Sequence, residues 1–132
     1  MAETDPSETI RGDKRWIAAI MVDVVGSTEL TERLGSERAF TLFREVLRQC
    51  LGAIEAEGGH FVDSAGDSIF AIFGAPVAIE NAALAACRAA LAVQARLAAQ
   101  AGRFEAEYGS PLQARIGIAG GSVLVARLGL SD

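Results

Sequence analysis

Two aspartates in this chain sit where a charge is expensive to place. Asp23 ends the apolar run RWIAAIMV and leads into Val24, Val25, Gly26, Ser27 and Thr28; Asp67 follows Gly66 and opens the apolar run that ends at Phe73. An ionised carboxylate at the end of a buried strand is costly to desolvate unless something pairs with it. If the two strands are neighbours, both carboxylates reach one edge, where they repel unless a cation sits between them. Hard oxygen ligands without His or Cys beside them select Mg²⁺ or Mn²⁺ over Zn²⁺. The strand-to-helix turn after Asp23 adds backbone N–H groups, two hydroxyls and the positive end of a helix dipole, which suits a triphosphate. Two metal ions beside an anion-binding turn are the equipment for in-line displacement at phosphorus. By residue type alone a second reading stays open, with Asp23 as a helix cap and Asp67 as a turn residue.

The elements that must position these groups follow from hydrophobic period and punctuation. Residues 1–14 are polar and charged around a single aliphatic Ile10, the pattern of a disordered tail. The continuous apolar run at 15–22 predicts a strand covered on both faces. A short helical turn over 28–34 stops at Gly35, and Ser36 can cap the next helix. There Phe40, Phe43, Leu47, Cys50 and Ile54 recur at steps of three and four, with Val46 and Leu51 beside them, up to Gly58-Gly59. The stretch HFVDSAGDSIFAIFG predicts a strand at 60–62, a turn at 63–66 and a second strand at 67–73. After the break at Gly74-Ala75-Pro76, an alanine-rich helix spans about 77–108, with Leu84, Cys87, Leu91, Ala95 and Ala98 marking a buried face. Strands at 112–119 and 122–129 flank a turn at Gly120-Gly121. The order strand, helix, strand, strand, helix, strand, strand predicts an α+β fold: a ferredoxin-like or palm-type α/β sandwich, antiparallel-rich, with helices on one face.

Bulk properties narrow the partners. With 132 residues, 51% of them hydrophobic, the chain has the length and apolar content of one domain. A net charge of −5 without a Lys/Arg cluster argues against a nucleic-acid groove or contact with an anionic membrane. It leaves a phosphate-bearing substrate open, since metal ions can carry the positive charge locally. Cys50 and Cys87 read as reduced core thiols. The polar N-terminus lacks a signal-peptide core, and no run of about 18 apolar residues is expected to cross a membrane, so the cytoplasm is the expected location. The lone His60 reads as a surface residue and Arg115 as facing solvent or an interface carboxylate. Trp16 and Tyr108 read as packing or rim residues, and Arg88, Arg96 and Arg103 as a solvated helix face.

Three ordered segments, RWIAAIMVDVVGST, GGHFVDSAGDSIFAIFGAP and ARIGIAGGSVLV, resemble successive parts of the class III nucleotidyl cyclase catalytic domain, the adenylate/guanylate cyclase family. The resemblance spans about residues 15–129. It implies a head-to-tail homodimer, or pairing with another cyclase domain, with active sites at the interface. It also implies two Mg²⁺ or Mn²⁺ ions and a nucleoside triphosphate, ATP or GTP, cyclised to a 3′,5′-cyclic nucleotide with release of pyrophosphate. Asp23 and Asp67 would be the metal-binding aspartates and the Val24 carbonyl a further ligand. The backbone of Val25, Gly26, Ser27 and Thr28 would hold the phosphates. Asp63 stands where adenylate cyclases carry a lysine and guanylate cyclases tend to carry glutamate; it either accepts hydrogen bonds from a guanine edge or is a turn residue. The family places an Asn and, four residues on, an Arg beyond the position of Asp132. Residues 15–132 are therefore expected to form an incomplete catalytic domain, weak or inactive alone. The alternative is a non-catalytic cyclase-homology module for nucleotide binding or dimerisation. A diguanylate cyclase is disfavoured, because the hairpin reads SAGDS where that class has Gly-Gly-(Asp/Glu)-Glu-Phe.

Overall fold

The computed structural model describes residues 12–126. In chain order the elements are β1 (Gly12–Val24), α1 (Ser27–Leu34), α2 (Ser36–Ala56), β2 (His60–Ala65), β3 (Ser68–Phe73), α3 (Ala82–Ala99), α4 (Ala101–Tyr108) and β4 (Ala114–Ala126). The four strands form one sheet in the order β2-β3-β1-β4, every neighbouring pair antiparallel. This is the split βαβ arrangement of a ferredoxin-like sandwich, in which β1 and β3 become neighbours although a helix pair and β2 separate them in sequence.

Burial along β1 alternates. Ala18, Ile20, Val22 and Val24 are buried under the helices, while Met21 on the opposite face is exposed and Ile17, Ala19 and Asp23 are half-buried. The expected two-sided cover is thus corrected: the helices pack on one face, and the apolar run is continuous because even the barer face carries Ile17, Ala19 and Met21. The strand also begins at Gly12, three residues before the expected start, because Gly12–Lys14 pair with residues 124–126 of β4. Residues 1–11 of the expected tail, and 127–129 of the expected last strand, lie outside the described residues.

α2 buries Phe43, Val46, Leu47, Cys50 and Ile54 as its period predicts, but Phe40 is 59% exposed. Gly35, with φ +87°, takes the cap position expected of Ser36, which begins the helix instead. Between β2 and β3 the turn is only Gly66-Asp67, with Ala65 paired to Ser68. A two-residue loop lets β2 run three residues further than expected and starts β3 one residue later, so Asp63 belongs to β2 and Asp67 to the turn.

The long helix divides at Gln100 into α3 and α4. Its core face is the reverse of the expected one: Ala82, Ala86, Ala89, Val93 and Leu97 are buried, while Leu84, Cys87, Leu91, Ala95 and Ala98 face outward or stand exposed. Small side chains let this helix approach the sheet closely, and an alanine-rich segment has too little contrast for its period to reveal that. α3 is long and apolar enough to cross a membrane by length and composition, against the expectation that no such run exists; its buried residues belong to the hydrophobic core. Cys87 is likewise corrected to an exposed thiol. Arg96 and Arg103 are not simply solvated, since Arg96 donates to the Gln49 carbonyl and Arg103 pairs with Glu45, tying α3 and α4 to α2.

β4 runs unbroken through Gly120-Gly121, which pair with Ala18 and Ile17. The absent side chain of Gly120 makes room for the Trp16 ring, which a Cβ there would strike.

Two outcomes test this packing. Leu97→Ala, at a position 3% exposed, is expected to lower unfolding free energy by about 2–5 kcal/mol in urea titrations, whereas Leu91→Ala, at 72%, stays within about 0.5 kcal/mol. Burial pushes the Cys50 thiol up to about 11. A thiolate reagent at pH 8 is therefore expected to modify Cys87 and leave Cys50 intact until the protein unfolds.

Candidate functional site

The chemistry-bearing residues converge at the C-terminal end of β1. The Val24 N–H donates to the Asp67 carbonyl at 3.0 Å, and the Val25 N–H donates to the Gln113 carbonyl at 2.8 Å. Gly26 then adopts the left-handed conformation, φ +71°, and takes the cap position of α1. That conformation strains residues with a Cβ, so glycine here is a steric requirement of the turn. The Ser27 hydroxyl donates to Asp67 Oδ2 at 2.7 Å, and the Thr31 hydroxyl donates to the Ser27 carbonyl at 2.8 Å. A cavity of about 380 Å³ opens beside this turn, lined by Ser27, Thr28, Thr31, Gly66 and Asp67 among others.

The loop that supplies Gln113 is itself held. Arg33 donates to the Tyr108 carbonyl at 2.7 Å and Arg38 to the Glu107 carbonyl at 2.8 Å, so two guanidiniums satisfy the negative end of α4. Arg38 also lies over the Tyr108 ring, 5.3 Å from its centroid, and Tyr108 is a buried packing residue.

On the sheet face without helices, strand register sets side chains in rows. Asp23 lies opposite Ser68 of β3 on one side and Arg115 of β4 on the other. One pair further along, Met21 lies opposite Phe70, which in turn lies opposite Asp63 of β2. Residues directly opposite in an antiparallel pair project to the same face. A small hollow of about 140 Å³ is lined there by Met21, Asp63, Ser68 and Phe70. The turn reading of Asp63 is therefore overturned: it stands in β2, next to an irregularity in the pairing, and its Oδ1 accepts the Ser64 N–H at 2.8 Å.

The expected site residues are thus placed as follows. Asp23 and Asp67 share one end of the sheet on neighbouring chain segments, with Val24 buried between them in sequence and tied by its N–H to Asp67. Val25 has its N–H committed to Gln113, while Gly26, Ser27 and Thr28 stand at the start of α1, where N–H groups lack partners within the helix. Asp67 lines the cavity by this turn, while Asp23 belongs to the row on the barer face. The Ser27–Asp67 hydrogen bond and the place of Arg115 beside Asp23 were not foreseen; Arg115 shows in the sequence, but its neighbour depends on register. His60 is exposed, as expected.

The donor set is one of hard oxygens: two carboxylates, a serine hydroxyl and backbone carbonyls. Among the described residues no group of three or more His, Cys, Asp or Glu side chains forms a closed metal cage. Such a set fits Mg²⁺ or Mn²⁺, which take few protein ligands and keep water or phosphate oxygens in the remaining positions.

An antiparallel split-βαβ sheet, with Asp23 and Asp67 at one strand end beside the Gly26–Ser27 turn, defines a palm-type α/β domain. The model of the adenylate and guanylate cyclase catalytic domain matches residues 12–132, and the chain belongs to that family. Adenylate cyclase 1 of Rhizobium meliloti is 30% identical over 116 residues, covering 88% of this chain and 17% of the relative. The crystal structure of the guanylyl cyclase Cya2 superposes with a TM-score of 0.78 at 29% identity, over 87% of this chain and 58% of that one. The adenylyl cyclase CyaB from P. aeruginosa, at 24% identity, shares the fold with a TM-score of 0.80 over 88% of this chain and 61% of that one. The chain spans about a fifth of the length of the curated relatives it matches, uncharacterized mycobacterial proteins among them.

Ser27→Ala removes the donor that fixes Asp67. It is expected to lower stability by about 1 kcal/mol, and a double-mutant cycle with Asp67→Ala is expected to return a coupling of at least about 0.5 kcal/mol in chemical denaturation.

Proposed function

We propose that this domain binds a nucleoside triphosphate with two divalent cations, Mg²⁺ or Mn²⁺, at the Asp23–Asp67 end of the sheet. There it serves cyclisation to a 3′,5′-cyclic nucleotide with release of pyrophosphate. The observation that carries the reading is the junction of Asp67 with the Gly26–Ser27 turn, through the Ser27 hydroxyl, beside the end of the strand that carries Asp23. Asp23 and Asp67 would hold the cations, with the Val24 carbonyl as a further ligand. The N–H groups of Gly26, Ser27 and Thr28, at the positive end of α1, would receive the β- and γ-phosphates. When bound, the cations would neutralise triphosphate charge and make the ribose 3′-hydroxyl more acidic. Asp63, an acceptor in the row with Met21 and Phe70, favours the donor edge of guanine over that of adenine.

The barer sheet face supports a partner domain, a second copy head to tail or another cyclase domain, that would close the cleft over Asp23. A cytoplasmic location, where nucleoside triphosphates are abundant, would suit this reading. Turnover by residues 1–132 alone is expected to be slow. The chain's one asparagine, Asn81, is occupied in capping α3 through the Leu84 N–H, so it cannot serve the ribose as the family's asparagine does. Removing one such electrostatic group costs roughly 10²–10³ in rate.

The test combines Mn²⁺-nucleotide binding by calorimetry with product assays on ATP and GTP. Asp23→Ala and Asp67→Ala are each expected to weaken Mn²⁺-dependent nucleotide binding at least tenfold and to abolish any product. Equal binding by the parent chain and both variants rejects the site. Retained Mn²⁺-nucleotide binding with no product, even beside a complete cyclase domain, selects the non-catalytic module instead.

A further inference from the structure

A second cleft lies on the helix-bearing side of the sheet, between α2 and the β2–β3 hairpin. At about 460 Å³ it is larger than the cavity beside Asp67 and within the range of small-molecule sites. Leu47 and Ile69 form its apolar floor, and both are buried. Phe40 of α2 and Phe61 of β2 line it, and both rings face water to an unusual degree, at 59% and 40% exposure. Large aromatic side chains left open beside a cleft mark an interaction site more often than scattered aliphatic ones do.

Arg44 and Arg48 complete the lining, one helical turn apart on α2. Two like charges at this spacing repel. Among the described residues neither arginine takes part in an ion pair. The acid nearest to both in sequence, Glu45, is held by Arg103 at 2.6 Å on the α4 side. In a chain of net charge −5, an unneutralised arginine pair beside an open aromatic slot is a localised exception to the overall field.

We propose that this cleft binds an amphipathic organic anion: a compact apolar or aromatic body between Phe40 and Phe61, with one carboxylate, sulfonate or phosphate head on Arg44 and Arg48. The apolar floor supplies transfer free energy, and the guanidinium pair supplies charge-assisted hydrogen bonds and orientation. The cleft shares Gly66 with the cavity beside Asp67, so its occupant touches the two-residue turn that carries that carboxylate. Binding here is independent of whether the chain handles nucleotide.

The probe is 1-anilinonaphthalene-8-sulfonate, titrated against the 132-residue chain by fluorescence, with 1-naphthoate and neutral 1-naphthalenemethanol as competitors. Saturable single-site binding is expected, displaced at least tenfold more effectively by naphthoate than by the alcohol. The double variant Arg44→Ala/Arg48→Ala and the variant Phe40→Ala are each expected to weaken the probe at least tenfold, with circular dichroism confirming that they remain folded. Leu91→Ala, on the outward face of α3, is expected to leave affinity unchanged. Naphthoate is further expected to shift the amide resonances of Gly66 and Ile69 in a nuclear magnetic resonance titration. Equal displacement by acid and alcohol, unchanged affinity in the arginine double variant, or resonance shifts confined to α3 would overturn the proposal.

Discussion

The hydrogen bond from the Val24 N–H to the Asp67 carbonyl ties the end of the central strand to the tip of a hairpin that lies 43 residues further along the chain. The β2–β3 loop has only two residues, so a bond to its second residue fixes where the whole hairpin ends relative to β1. The next N–H, that of Val25, reaches the other way, to Gln113 at the entrance to β4. Consecutive peptide groups thus clamp segments from both sides of β1, and the chain can leave the sheet only through the left-handed turn at Gly26. The start of α1, the direction of its dipole and the reach of the Ser27 hydroxyl all follow from that pair of bonds.

The core leaves this corner free to be polar. Among the described residues no polar or charged side chain is fully buried and no buried side-chain nitrogen or oxygen lacks a partner. Stability comes from apolar packing, aliphatic side chains together with Phe43, Phe73 and Phe104, between one sheet face and the helices, with alanines on α3 allowing close approach. The carboxylates stand at the strand ends and on the barer face, where water, cations or a partner can meet them. Arg33 and Arg38 hold α4 by its carbonyl end and so keep the Gln113 loop in place without burying a charge. Supporting and chemical residues occupy different places in the fold, so removal of an aspartate is tolerated by the core.

Much of this was legible in the sequence, for physical reasons that differ by element. The α2 stripe from Phe43 to Ile54 contrasts sharply with the charged residues between, so its period showed its face. The apolar runs at β1 and β3 stood out by length and boundary, and the element order alone predicted that these strands could be neighbours. That was enough to bring Asp23 and Asp67 to one end. The α3 face was illegible because alanine suits either side of a helix, and close approach to the sheet favoured alanine over Leu84 and Leu91. Gly120-Gly121 read as a turn because glycine pairs usually mark one, yet here one glycine makes room for Trp16 across the strands. Asp63 read as a turn residue because the true turn is shorter than the cluster of small residues around it. The Ser27–Asp67 bond and the Asp23–Arg115 juxtaposition depend on register, which no local pattern encodes.

One consequence attaches to β4. It is the outer strand on its side of the described sheet, 13 residues long, and from Ile116 to Ala126 it carries no charge. An uncharged outer strand offers a rank of backbone donors and acceptors to any extended segment that meets it, and neither proline nor lysine interrupts it here. The colloidal behaviour of the domain is therefore decoupled from its folding free energy. A better-filled core would raise the unfolding midpoint without making concentrated solutions more durable, whereas one lysine introduced along the outer rank would do the reverse.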